Sequence, residues 1–582
     1  MMNAKLFHIH VVCMVLITGI CAATVCADEQ PLFAPVPHDR SMVDDDATLK
    51  CRLRSEPSSF NPILMFTAID AQFEYLLWDR PFVLDKDLRW SINPDVVESF
   101  EFADDLLQAT LKLKSSLRWQ DGTPMTSADL VFSWQRILDD NVIARKAGHG
   151  TEQITQCEAI NLQTIRFTFK EALATNKWSV DFPIIPKHIY EPLVRDDPTM
   201  QQSDACVQAN RNPIGSGPYQ ISEWLSGERI VLSRWEGYPG PKPAFARIIF
   251  RVMPDNNAAL LAFETGEIDE MSLAPQQFAA DTDNQRFKDR GVKIRGEQWT
   301  NYYIGWNTRG PNAFLTEPAV RNAIGIAINR PLISERVFFG LFKESAGFYP
   351  ASFTGRDTRR TSNNFDLEQA ARMLDDAGWL VSGDDGWRYK KSSNGAEKVR
   401  AGFVLNLVAG SQTSPRVADI MRSDLRKIGV DMTTQTLEWS VFNERNLNHQ
   451  FDAFLSAWTC GPDPDEARNL FHSDAAQSGR NYVGYQNPKV DALFDRGVHE
   501  TDAGERARIY RTIEQTILSD EPYTFLVEAP TLWAFNHRLR GVSLSPRGPL
   551  HSYPGIRGWW TPKLPQPTDD GLRTGLPQSD AP

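Results

Sequence analysis

Apolar and polar positions follow two different periods along this chain, and the period switches repeatedly. Residues Phe245–Met253 form an apolar, β-branched-rich run broken only by two arginines, the signature of a strand. Asp255 or Asn256 then places a side-chain oxygen ahead of an apolar stretch that stops at Gly266, which predicts a helix capped at both ends. Ile268–Leu273 returns to a strand pattern. Such a strand–helix–strand unit favours parallel pairing through a right-handed crossover. Thr126 precedes a helix over Ser127–Leu138, with Asp129 three residues on as its acidic capping-box partner and Leu130, Trp134, Ile137 and Leu138 on one face. Thr316-Glu317-Pro318 opens another helix, with Val320, Ile324, Ala327 and Ile328 as its apolar stripe. Asp366 caps Leu367–Ala377, which turns Leu367, Ala370, Ala371 and Leu374 inward before Gly378 ends it. The alternation predicts a mixed α/β architecture in more than one lobe.

The two ends depart from this pattern. Lys5 precedes an apolar or small-residue run from Val11 to Cys26, which is 16 residues, where a spanning helix needs about 20. The run closes on Val25-Cys26-Ala27 before the polar Asp28-Glu29. This reads as a secretory signal peptide, residues 1–27, with an uncleaved anchor or a lipid tether on Cys21 or Cys26 as the alternatives. Residues 28–46 read as a flexible leader and residues 560–582 as a disordered tail, since both are rich in Pro and Asp. The expected location is periplasmic or extracytoplasmic.

Composition narrows the function. Of 582 residues, 41% are hydrophobic and 23% charged, which is ordinary for a globular chain. The formal net charge of −12, without basic runs, argues against nucleic acid as a partner, because phosphate binding needs clustered Lys and Arg. Export leaves Cys51, Cys157, Cys206 and Cys460, for which three pairings exist; Cys157–Cys206 is the preferred one because the two lie in one segment. No CxxC or HxxxH spacing suggests zinc, and no GxSxG, Walker A, HExxH or GxGxxG motif suggests an enzyme. No catalytic residue, metal or cofactor is therefore expected. Asp463 and Asp465 stand out because Pro462 and Pro464 fix their backbone. Trp119, Trp299, Trp306, Trp439 and Trp458 fall at loop or strand-end positions, where aromatic walls could line a concave ligand site.

Several short motifs in a fixed order sharpen this. They are Ser55–Pro62; Leu117-Arg118-Trp119-Gln120-Asp121-Gly122-Thr123-Pro124 with Thr126-Ser127-Ala128-Asp129-Leu130; Asn212–Tyr219 with its Gly215-Ser216-Gly217-Pro218-Tyr219; and Leu261–Asp269 with Gly266-Glu267-Ile268-Asp269. Tyr303-Ile304-Gly305-Trp306-Asn307, Val320-Arg321-Asn322-Ala323-Ile324, Ala370–Trp379 and Asn481–Asp491 follow. Each alone is weak; together, from about Thr48 to about Gly558, the chain resembles the family 5 extracellular solute-binding proteins of ABC transporters, the oligopeptide/dipeptide-binding type.

The resemblance implies an α/β two-lobe periplasmic binding protein fold with an extra subdomain in the first lobe. Lobe I is expected at 47–297 and 530–559, with the subdomain at about 71–211, and lobe II at 298–529. The chain should cross between lobes near Gly296–Tyr303 and near Leu526–Thr531. The implied function is the substrate-binding component of an ABC importer, a monomer that takes a peptide or similar small solute to membrane permease subunits. Other bulky solutes (a modified peptide, a sugar oligomer, a metal complex) are the alternative, and an exported hydrolase or a chaperone-like receptor are further readings. The candidate ligand-binding residues are Ser58, Ser59 and Phe60 from lobe I and Trp439, Arg445, Trp458 and Asp463 from lobe II. Two departures from the family pattern bear on cargo. Gly461 stands where peptide binders carry the Asp that holds the α-amino group, and Leu455 stands where some carry an Arg. Asp463 is the expected substitute for the missing carboxylate, since a buried ammonium without a counter-charge is costly.

Overall fold

The protein is described here from a computed structural model covering residues 31–563, apart from 66, 145–146, 148–149, 351, 354–355, 357–363, 383 and 392–397. The expected signal peptide, and the tail beyond residue 563, lie outside the described residues.

One large sheet runs through the molecule. Its order is Asp431–Leu437, Gly402–Val408, Ala453–Thr459, Gly291–Trp306, Tyr523–Asn536, Glu270–Ser272, Thr48–Leu53, Arg247–Val252, Arg229–Arg234 and Tyr219–Leu225. The predicted strand–helix–strand unit is present as Arg247–Val252, the helix Asn256–Thr265 and Glu270–Ser272. Asp255 caps the helix and Gly266 ends it in the left-handed region, at φ 84°. The two strands do not pair with each other: Thr48–Leu53 lies between them, parallel to both. A strand from the start of the chain fills that place, and the spacing within 245–273 carries no information about it.

Two strands carry the sheet from one half to the other. Gly291–Trp306 is 16 residues long and Tyr523–Asn536 is 14, and they are antiparallel partners. Their ladder breaks twice: Gly296 pairs with Thr531 and Thr300 with Ala529, so Glu297, Gln298 and Trp299 stand opposite Pro530 alone, and a second, smaller shift follows between Tyr302–Val527 and Tyr303–Phe525. Proline has no N–H to donate, and a break in pairing bends a strand locally. The fold is therefore α/β in two lobes, joined at a bent pair of strands.

The cores do not divide cleanly between the halves, because the cluster around Ile304 and Leu405 also takes in Phe263, Met271 and Phe287. Thr48–Leu53 and its neighbours bury Phe60, Phe73, Trp78, Trp119 and Phe250, and a separate four-stranded antiparallel sheet within 97–169 adds Leu111, Phe167 and Phe169 to the same cluster. The second half packs both faces of its sheet. Ile304, Trp306, Leu405 and Leu455 meet the helices Pro318–Ile326 and Ser414–Lys427 on one side. Tyr303, Phe454 and Tyr523 meet Phe471, Phe494, Tyr510 and Ile513 on the other. Trp119 and Trp306 are fully buried in these cores, so neither forms part of an open aromatic wall.

The segment expected to be a flexible leader is packed where it is described. Val542 N–H donates to Leu32 O at 3.0 Å and Asp44 N–H to Thr561 O at 3.0 Å. Trp560 Nε1 donates to Ala34 O at 2.8 Å. Val43, Ala244 and Trp560 form a small core of their own. Leu32, Ala34, Val36 and Val43 give this segment enough apolar surface to dock, despite its prolines. Residues 560–563 belong to the same contact rather than to a loose tail. The four described cysteines are free thiols, three of them buried, so the preferred Cys157–Cys206 bridge is not formed; Cys157 lies on the strand Ile154–Ala159 and Cys206 on the helix Asp204–Arg211.

Candidate functional site

The loop after the first strand is held as a rigid platform. Asp70, in the first turn of the helix Ala68–Leu77, closes a capping box with Thr67. Its carboxylate also accepts Ser58 N–H at 2.7 Å and Ser58 Oγ at 2.8 Å. Ser59 Oγ accepts Asn61 N–H at 3.0 Å, and Trp78 Nε1 donates to Phe60 O at 2.9 Å. Glu56 accepts Trp224 Nε1, Ser226 Oγ and Gly227 N–H. The hydrogen bond from Trp224 is the main reason its pKa lies below the usual carboxylate range. Ser58 is exposed and Ser59 half-buried. Phe60 is fully buried, with its ring 4.9 Å from both Phe73 and Trp224. Its expected ligand contact is thus corrected: of Ser58, Ser59 and Phe60 the apolar residue turns to the core, as Ile63 and Met65 also do, and the serines are left toward the surface.

In the second half the two candidate tryptophans belong to one aromatic chain. Trp439 opens the helix Trp439–Leu447 and remains 60% exposed. It stacks on Phe442 at 6.0 Å and 14°. Phe442 meets Phe454 at 5.8 Å, Phe454 meets Tyr303 at 6.0 Å, and Tyr303 meets Trp458 at 4.0 Å. Trp458 is half-buried and also touches Phe471, Tyr523 and Phe525. Arg445 is six residues after Trp439, so at roughly 100° per residue it points about 120° away around the helix. Its Nη1 donates to Gln435 Oε1 at 2.8 Å.

Asp463 does not face an open site. It is buried, and Arg506 holds its carboxylate through Nη2–Oδ1 at 2.7 Å and Nη1–Oδ2 at 3.2 Å. Trp178 Nε1 donates to Oδ2 at 2.8 Å, and Asp465 N–H donates to Oδ1 at 2.9 Å. Burial raises its pKa, but the Arg506 charge and these hydrogen bonds outweigh that, and the net shift is downward. The prolines around it do fix the carboxylate, and they fix it to protein groups.

The carboxylate that lies over Gly461 is that of Glu466. A Cβ built on Gly461 would lie 1.7 Å from Glu466 Oε1, 1.8 Å from Oε2 and 1.9 Å from Cδ. Glu466 follows Asp463 in the short turn Pro464–Ala467, which folds back over the end of the strand Ala453–Thr459. Glycine at 461 is what makes this possible, because any side chain there would collide. The neighbouring Cys460 reports the local charge: burial pushes its thiol up to about 12, with Glu466 adding to the rise and Arg547 opposing it. Glu466 was not singled out from the sequence, where it is one acidic residue in a run of them; the glycine at 461 was the available signal.

This place adjoins the bend between the halves. Cys460 N–H donates to Trp299 O at 2.8 Å, and Trp299 N–H donates to Pro546 O at 3.0 Å. Trp299 Nε1 donates to Ser352 Oγ at 3.0 Å, and Ser352 Oγ donates to Glu297 Oε1 at 3.0 Å. Arg356 Nη1 meets Glu528 Oε1 at 3.1 Å across the same region. Among the described residues no group of three or more His, Cys, Asp or Glu could hold a metal ion, and no helix is long and apolar enough to cross a membrane.

Comparison with known proteins gives these features a context. A family model described as bacterial extracellular solute-binding proteins, family 5 Middle, matches residues 91–479. The oligopeptide-binding protein AppA of Bacillus subtilis (strain 168) is 26% identical over 517 residues, covering 87% of this chain and 90% of that protein. Its structure in complex with a nonapeptide superposes with a TM-score of 0.73 at 25% identity, covering 90% of this chain and 100% of that one. NikA from Brucella suis, solved with Fe(III)-EDTA, has a TM-score of 0.75 at 22% identity and covers 89% of this chain and 100% of its own; this second likeness speaks to the fold alone.

Proposed function

The chain belongs to the family 5 bacterial extracellular solute-binding proteins, and from that premise we propose that it is the extracytoplasmic receptor of an ABC importer that binds oligopeptides between its lobes. It closes on its cargo by bending at the paired strands and hands the cargo intact to membrane permease subunits. Trp439 offers an exposed ring for apolar side chains, and Trp458 lines the wall behind it. In this reading Ser58 and Ser59 from the other lobe, and Arg445, are the polar groups offered to cargo. Backbone groups of an extended peptide pair with polar backbone and hydroxyl groups, so many sequences fit.

The observation that carries the peptide reading is the Glu466 carboxylate lying over Gly461. A peptide's α-ammonium needs a counter-charge when it leaves water, and Glu466 supplies it from the place where a side chain at 461 would have stood. An anionic metal chelate would meet repulsion there. The test uses peptides of two to nine residues, each free and N-acetylated. Titration calorimetry should show saturable binding of the free peptides, and mass spectrometry should recover them uncleaved. Glu466→Gln should weaken free peptides at least tenfold and leave acetylated ones nearly unchanged. Peptide cleavage, or binding of chelates in preference to every peptide, would sink the receptor reading; equal losses for free and acetylated peptides would sink the role of Glu466.

A further inference from the structure

The two halves also touch well away from the bent strands. Segment 171–178 follows the strand Thr164–Phe169, and its flanks Phe169, Val180 and Phe182 belong to the first core. Asp463 and the helices Pro488–His499 and Ala503–Asp520 belong to the second, through Ala467, Phe494 and Tyr510. Three hydrogen bonds bridge the gap. Ala174 N–H donates to Val498 O at 2.8 Å. Trp178 Nε1 donates to Asp463 Oδ2 at 2.8 Å. His499 Nε2 lies 3.1 Å from Glu171 Oε2. Asp463 is two residues from Gly461 and caps the turn that carries Glu466; the other five residues lie neither on the aromatic chain nor in that turn.

The two sides differ in construction. On the second half Asp463 is held by Arg506 on its own side and receives Asp465 N–H, so its carboxylate is positioned whether or not the first half is present. On the first half Trp178 presents only an indole N–H, with Lys177 above its ring at 5.0 Å. Separating the halves therefore breaks no ion pair at Asp463. It exchanges the three bridging hydrogen bonds for bonds to water and gives up the attraction between the Lys177 ammonium and Asp463, polar contacts whose net worth is modest and which a hinge can cross repeatedly.

We propose that these contacts are a latch that holds the closed arrangement without taking part in cargo recognition. Glu171, Trp178 and His499 thereby act as affinity-setting residues for every ligand. The apparent affinity of a protein whose competent state is partly populated scales with that population. A weakened latch lowers the affinity for all cargo by one common factor, whereas a change in a residue touching cargo discriminates between ligands. The inference rests on the receptor reading for its effect on affinity and stands apart from it for its effect on closure.

The experiment uses the full mature chain with Trp178→Phe and, separately, the surface pair Glu171→Gln with His499→Gln. Amide hydrogen exchange at Ala174 and small-angle scattering are measured without ligand, and the affinities of a dipeptide and a nonapeptide by calorimetry. Exchange at Ala174 should quicken about tenfold, the unliganded chain should expand, and both affinities should fall by the same factor. Unchanged Ala174 exchange in both variants overturns the latch, as does a loss confined to one peptide. If Trp178→Phe fails to fold, the surface pair decides. If no peptide binds the parent chain, the receptor reading fails, and exchange and scattering still decide the latch.

Discussion

Asp463 and Glu270 are both buried carboxylates, and their surroundings drive them in opposite directions. Burial pushes Glu270 up to about 7, although Trp533 Nε1 at 2.6 Å and Arg52 N–H at 3.0 Å pull the other way. An unfolded glutamate loses its proton near 4.5 while the native one keeps it to about 7. Over that window the unfolded chain binds fewer protons, so stability falls as pH rises, by about 3 kcal/mol in all. Denaturant midpoints between pH 4.5 and 7 should show this fall, and Glu270→Gln should flatten it; a flat profile in the parent chain would refute the assignment. Asp463 carries the opposite sign. Its native pKa is depressed, so its contribution is present above the unfolded value of about 3.9 and is lost as pH falls through the native one. Asp463→Asn should cost about 3 kcal/mol at pH 7, measured by urea unfolding, because Arg506 is left buried without its charge partner. At this scale the sequence shows that Pro462 and Pro464 hold Asp463 still. The direction it faces depends on Trp178, 285 residues away, and no local pattern contains that.

The helices end where their own residues dictate. Thr126, Asp255 and Asp366 cap as expected, and Gly266 and Gly378 adopt left-handed φ values of 84° and 80°. These are contacts within three or four residues, so they are legible without tertiary structure. Asp255→Ala should lower stability by about 1 kcal/mol, read from the denaturant midpoint, through loss of the bonds it accepts from Asn257 and Ala258 N–H. The strands behave differently. Gly291 is in extended backbone that any residue could adopt, yet a Cβ there would lie 2.2 Å from Phe535 O and 2.6 Å from Phe263 Cζ. Gly291→Ala should therefore cost about 1–3 kcal/mol by overpacking, and a thermal midpoint equal to the parent's would refute the crowding. Pairing partners come from distant segments, which is why the strand–helix–strand unit was readable while the interposed Thr48–Leu53 was not.

As a whole the molecule is two packed halves on a shared sheet, bent where three residues face Pro530. A receptor of this construction gains stability from whatever closes it. A bound peptide at 100 times its dissociation constant should add about 2.7 kcal/mol to unfolding and reduce the scattering radius, and a thermal shift without compaction would argue against hinge closure.

What the sequence determined by itself is the local grammar: the α/β alternation, the caps and turns, and an ordered set of motifs that specified the frame. The tertiary structure decided which way the polar groups face. It buried Phe60, turned Asp463 to Arg506 and Trp178, and brought Glu466 over Gly461. The physical reason is that caps and periodicity are settled by neighbours along the chain, whereas the partner of a charge is settled by what packs beside it, often from the opposite end of the sequence.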